Sequence, residues 1–168
     1  MKKKLVVIRH AKANDITAFQ KDFERNLNGR GRIDAELMAN RLKDHEIIPD
    51  LILASSAQRT KETAEIFATA LNVDLSLIKL EKQLYNASAE TISETVSEMS
   101  IPDSVNTLFL IGHNPGISEF AFRSLKNPER MTSMPTCGIV VVEQKLHSWN
   151  DFRFAAGDFV FYDYPKNK

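Results

Sequence analysis

The sequence holds little of what marks a specialised architecture. Cys137 is its one cysteine, which excludes an intrachain disulfide and any zinc cluster built from several cysteines. A reducing compartment fits such usage. Neither sign of charge is in excess: 22 Lys and Arg oppose 22 Asp and Glu. Nothing global therefore draws the chain to nucleic acid or to an anionic membrane, although a local basic pocket is compatible with neutrality. No apolar run approaches the ~20 residues of a membrane-spanning helix. The opening MKKKLVVIRHAKA has the lysines and the Ala-x-Ala of a signal peptide, but its apolar run stops at Arg9. A secretory core needs roughly 7–15 such residues. The reading is a cytoplasmic protein that starts with a strand. There is no repeat, low-complexity tract or linker.

What is present is an ordinary globular composition, 43% hydrophobic and 26% charged, over a length that suits one domain across residues 1–168. Strand and helix patterns alternate along it. Residues 5–8 are a continuous apolar run, as in a strand covered on both faces. Residues 32–44 carry Ile33, Leu37, Met38 and Leu42 at helical spacing. Residues 51–54 read as a second strand, with Ser55 or Ser56 able to cap the helix that follows through Ala64, Phe67, Ala68 and Leu71. A third strand is expected over 75–80, a short amphipathic helix over 88–99, and a fourth strand over 107–111. Pro115 suits the start of another helix, through Ile117, Phe120, Ala121 and Leu125. Late strands are expected over 138–143 and 152–162. This alternation predicts a three-layer α/β/α sandwich with a mostly parallel central sheet.

In open α/β sheets, ligands sit beyond the carboxyl ends of the strands. Three strands here run into similar polar residues: Arg9-His10, Ser55-Ser56-Ala57-Gln58-Arg59, and Gly112-His113-Asn114-Pro115-Gly116. If these ends are neighbours, two arginines and two histidines share one crevice. Two guanidinium groups aimed at one spot repel each other unless an anion lies between them, and a phosphoryl group matches their fork of donors. A neutral histidine there is a nucleophile toward phosphorus, because nearby positive charge disfavours imidazolium. A second histidine can donate to a phosphoryl oxygen.

With these motifs the sequence resembles the histidine phosphatase superfamily, also called phosphoglycerate-mutase-like, and most closely its SixA-type phosphohistidine phosphatases. Arg9-His10-Ala11 is similar to the family's Arg-His-Gly. Residues 25–31, Arg25-Asn26-Leu27-Asn28-Gly29-Arg30-Gly31, resemble its Arg-Pro-Leu-Thr-x-x-Gly segment. Residues 55–64 resemble Ser-Ser-Pro-x-x-Arg-Ala-x-x-Thr-Ala, and Gly112-His113 resembles its second histidine motif. The resemblance implies that His10 is the nucleophile, carrying phosphohistidine until water releases phosphate. It implies that Arg9, Arg59 and His113 bind the phosphoryl oxygens, with Arg25 as a further pocket arginine. No cofactor and no metal is implied, since arginines supply the positive charge that Mg²⁺ supplies in kinases.

One departure bears on the substrate. Larger members of the family supply a carboxylic acid after the third strand, where this chain has Asn86. Glu81 and Glu90 are nearby candidates without motif support. An alkoxide leaving group needs a proton donor, worth typically 10²–10⁴-fold, whereas imidazole leaves well. The expectation is therefore protein phosphohistidine as substrate. The alternatives are small phosphoesters, with Glu81 or Glu90 as acid, or a phosphate-binding module without turnover. Among other polar residues, Lys12, His45 and His147 read as solvated, Cys137 as a buried small residue, Trp149 as packing, and Asp15 and Asp22 as holding loop geometry.

Overall fold

The computed structural model describes residues 1–128 and 133–168. Six strands form one sheet: β1 (Lys2–Arg9), β2 (Leu51–Ser55), β3 (Ile78–Glu81), β4 (Thr107–Gly112), β5 (Ile139–Lys145) and β6 (Asp158–Asp163). Their order is β3-β2-β4-β1-β5-β6. Pairings β3–β2, β2–β4 and β4–β1 are parallel, and β5 runs antiparallel to both of its neighbours. Four longer helices intervene: α1 (Gly29–Asp44), α2 (Gln58–Ala70), α3 (Ala89–Glu98) and α4 (Gly116–Arg123).

The period-2 alternation of the strands sorts their side chains to two faces. Val6, Ile8, Ile52, Ala54, Phe109, Ile111 and Val141 pack with Ala35, Met38, Leu42, Ala64 and Phe67 of α1 and α2. Leu5, Val7, Leu53, Leu108, Leu110 and Val140 pack on the other face with Ile92 and Val96 of α3 and Ile117 and Phe120 of α4. This is the expected α/β/α sandwich, and it explains the continuous apolar runs at residues 5–8 and 108–111 of the central strands. Trp149 joins the second cluster and donates from Nε1 to the Val105 carbonyl at 2.8 Å, in keeping with a packing role. No helix among the described residues is long and apolar enough to cross a membrane.

Local details depart from the sequence reading. Helix α1 begins at Gly29, earlier than expected, because Asn28 Oδ1 caps it by accepting the Gly31 N–H at 2.8 Å. Ile33 and Leu37 are exposed, at 60% and 36%. The buried stripe runs through Ala35, Met38, Ala39 and Leu42, and at about 100° per residue Ile33 and Leu37 fall on the opposite side. Neither Ser55 nor Ser56 caps α2, whose N-cap is Ala57. The expected third strand starts only at Ile78, since Leu75–Leu77 form a 3₁₀ turn capped by Asp74. The last strand starts at Asp158, with Phe152 and Phe154 packed ahead of it instead of paired.

Candidate active site

The register of the three central strands builds the site. Ile111 of β4 pairs with Ile8 of β1 on one side and with Ala54 of β2 on the other. The residues that follow those three therefore emerge together at the carboxyl edge of the sheet. The His10 N–H donates to the Gly112 carbonyl at 3.1 Å, locking the two histidine-bearing ends to each other. The rings of His10 and His113 lie 5.3 Å apart. Arg59, in the first turn of α2, reaches the same point: its Nε stands 3.4 Å from His10 Nε2. Arg9, His10, Arg25, Arg59 and His113 all line one open pocket of about 450 Å³, with Lys12, Asp22, Asn86 and Asn114 among its other walls.

His10 is held in a defined form. Its Nδ1 lies 2.7 Å from the Ala11 carbonyl, which can only accept, so Nδ1 carries the proton and Nε2 keeps its lone pair. Burial, then the positive charge of Arg59, Arg9 and Arg25, pulls its pKa down to about 4, against the Ala11 hydrogen bond that raises it. His113 is lowered to about 3, first by burial and then by His10 and Arg59. Both rings are thus neutral near pH 7. The Nε2 of His113 stands 2.8 Å from Ser55 Oγ, and its Nδ1 is buried without a hydrogen-bond partner among the described residues. Arg9 is likewise incompletely used: Nη1 donates to the Met134 carbonyl at 2.9 Å, while Nε has no partner among the described residues. Met134 is itself held by Asn114 and Ser118, so the second histidine motif also braces the first arginine.

Asp22 was read in the sequence only as a loop residue, and it does more. It sits in the 3₁₀ turn Asp22–Glu24 and accepts from Arg59 Nη2 at 3.1 Å, from Arg25 Nε at 2.9 Å and from Tyr85 Oη at 2.6 Å. The Tyr85 hydrogen bond, followed by the two arginines, lowers its pKa to about 2. It is the one carboxylate among the described residues that lines the pocket, and it is too acidic to donate a proton near neutrality. No sequence signal marked it, because its partners come from α2 and from residue 85. Of the two acids considered as proton donors, neither lines the pocket: Glu90 pairs with Arg123 on the exposed side of α3, and Glu81 ends β3, beyond β2. Asn86 does reach the pocket wall. Lys12 lines it too, exposed to solvent as expected. Cys137 is fully buried, which raises its thiol pKa beyond the accessible range.

Cationic and neutral donors around a histidine with an unprotonated nitrogen, at the edge of a mostly parallel sheet, are a setting able to hold an anion against a nucleophilic group. Residues 5–93 match the model of the histidine phosphatase superfamily (branch 1), and the chain belongs to that superfamily. Three solved structures share its fold over nearly the whole length. A chain from Nakamurella multipartitia named for the phosphohistidine phosphatase SixA has a TM-score of 0.82 at 20% identity, covering 99% of this chain and 98% of its own. Another so named, from Agrobacterium tumefaciens, has a TM-score of 0.77 at 27% identity, covering 95% and 96%. The protein histidine phosphatase SixA complexed with tungstate has a TM-score of 0.77 at 22% identity, covering 96% and 97%.

Proposed function

We propose that the chain is a phosphatase that removes the phosphoryl group from phosphohistidine on another protein, with His10 as the nucleophile. The observation that supports this most is the setting of His10: Nδ1 is committed to the Ala11 carbonyl, Nε2 is unprotonated, and Arg59 stands 3.4 Å from it. In the first step the Nε2 lone pair attacks phosphorus, and the bond from phosphorus to the substrate imidazole breaks. That electron pair returns to the leaving nitrogen, which is protonated from solvent. In the second step water attacks phosphorus, the bond to Nε2 breaks, and its pair returns to His10. The water proton passes to solvent and phosphate departs. Arg9, Arg59 and His113 bind the phosphoryl oxygens through both steps, and Arg25 adds positive charge at the rim.

The substrate class follows from the pocket wall. The position nearest a family acid is Asn86, and Asp22 stays ionised, so among the described residues no wall carboxyl is available to protonate a poor leaving group. Imidazole does not need one. Tungstate in the SixA neighbour is a phosphate-like oxyanion, consistent with an oxyanion in this pocket. The test is transfer from a ³²P-phosphohistidine protein. Acid-labile label should appear on His10 in a rapid quench and be absent from His10→Ala. Turnover by His10→Ala, or label that survives acid, would exclude this route.

A further inference from the structure

Ser55 ends β2 and is fully buried, and it does not line the pocket. Its Oγ has two neighbours within hydrogen-bond distance. One is the Ala57 N–H at 3.3 Å, which can only donate. The other is His113 Nε2 at 2.8 Å. The Ser55 hydroxyl proton therefore has one acceptor among the described residues, and it is the imidazole.

The neutral ring of His113 bears a single proton, on one nitrogen or the other. If Nε2 carried it, Nε2 would donate to Ser55, leaving the Ser55 hydroxyl proton and the Nδ1 lone pair both buried and unused. If Nδ1 carries it, Ser55 donates to Nε2 and only the Nδ1–H is unused. Leaving a buried polar group unsatisfied is costly, and the second arrangement leaves one where the first leaves two, so the second wins. It also turns the leftover group into a donor. With Nε2 turned back toward Ser55, Nδ1 is the ring nitrogen left for the pocket that His113 lines.

We propose that Ser55 is a positioning residue: its hydroxyl donates to His113 Nε2, fixes the Nδ1–H tautomer, and so keeps a donor aimed at the phosphoryl oxygens. This rests on the phosphatase reading for its purpose but not for its test. A lone pair at Nδ1 would repel an anionic oxygen, so the tautomer decides whether His113 helps or hinders transfer. The assignment also explains why a serine that suits a helix cap leaves that job to Ala57.

The test is the pattern of two-bond ¹H–¹⁵N couplings of the His113 ring at pH 7, assigned by comparison with His113→Gln. The wild-type protein should show the Nδ1–H tautomer, and Ser55→Ala should lose it. Ser55→Ala should also lower kcat by ~10-fold or more while KM moves by less than ~3-fold, as for loss of one donor to a developing charge. Ser55→Thr should restore the tautomer and part of kcat. An Nε2–H tautomer in the wild type would overturn the proposal. So would a Ser55→Ala protein whose kcat falls while its tautomer stays at Nδ1–H, since the serine would then be merely structural. Failure of the phosphatase reading shows elsewhere, as absence of acid-labile label on His10, and leaves the tautomer result standing.

Discussion

At the scale of single residues, the site works by keeping protons off its two histidines. Both pKa values, about 4 for His10 and about 3 for His113, lie below the ordinary 6.5. Between pH 6.5 and those values the unfolded chain binds protons that the folded chain refuses. Stability contributed by these groups is complete above about pH 6.5 and is lost as pH falls through that window. Denaturant unfolding should show a loss on the order of a few kcal/mol between pH 7 and pH 4, with part of the slope removed in His10→Gln. A flat profile would contradict the burial argument. Binding should depend on the arginine nearest His10: Arg59→Met is expected to weaken tungstate or vanadate binding by ~100-fold, as for a buried charged donor, measured by calorimetry. Glu81→Gln and Glu90→Gln should leave turnover within ~2-fold, because neither side chain reaches the pocket. A larger effect would revive a phosphoester substrate with one of them as acid.

At the scale of elements, the site was legible in the sequence because its main parts lie within a few residues of strand ends. Apolar runs stopping at Arg9-His10, at Ser55 and at Gly112-His113 mark the carboxyl edge without knowledge of the fold. Asp22 is not legible in the same way, since beside the local Arg25 it is held by Arg59 and Tyr85 from two distant segments. Ser55 was misassigned for a related reason: a cap is a local matter, whereas its partner His113 lies across a strand pairing. The face of α1 was misread because Ile33 and Leu37 outweigh Ala35 and Ala39 in hydropathy, yet small residues line its buried side. Two elements carry their own tests. A Cβ on Gly116 would fall 1.8 Å from the Ala87 carbonyl, where α4 meets the loop bearing Asn86. Gly116→Ala should therefore destabilise the protein and lower turnover together, seen in urea unfolding and in kcat. Lys3 is 1% exposed, and its Nζ donates to the Asp103 and Val105 carbonyls and to Asn106 Oδ1. Lys3→Met should cost about 1–3 kcal/mol by orphaning acceptors that hold the loop before β4, with kcat unchanged.

At the scale of the whole molecule, the expected α/β/α sandwich is present and its pocket is open. The segment between Tyr85 and Asn106 holds α3, which packs on the sheet, and it brings Asn86 to the pocket wall. Such a pocket suits a side chain presented on another protein. Phosphohistidine peptide should be turned over faster than p-nitrophenyl phosphate or an alkyl phosphate, compared as kcat/KM, and the reverse order would favour small esters. The strand order has one more consequence. β1 and β2 never touch; β4, made long after both, is inserted between them. Synthesis therefore delivers His10 about a hundred residues before His113. Until residues 107–113 occupy the gap, His10 has neither His113 beside it nor, by way of β4, Arg59 held near its ring. The order of the strands thus makes the site a product of the whole parallel core: segments far apart in the sequence meet only where β4 joins them.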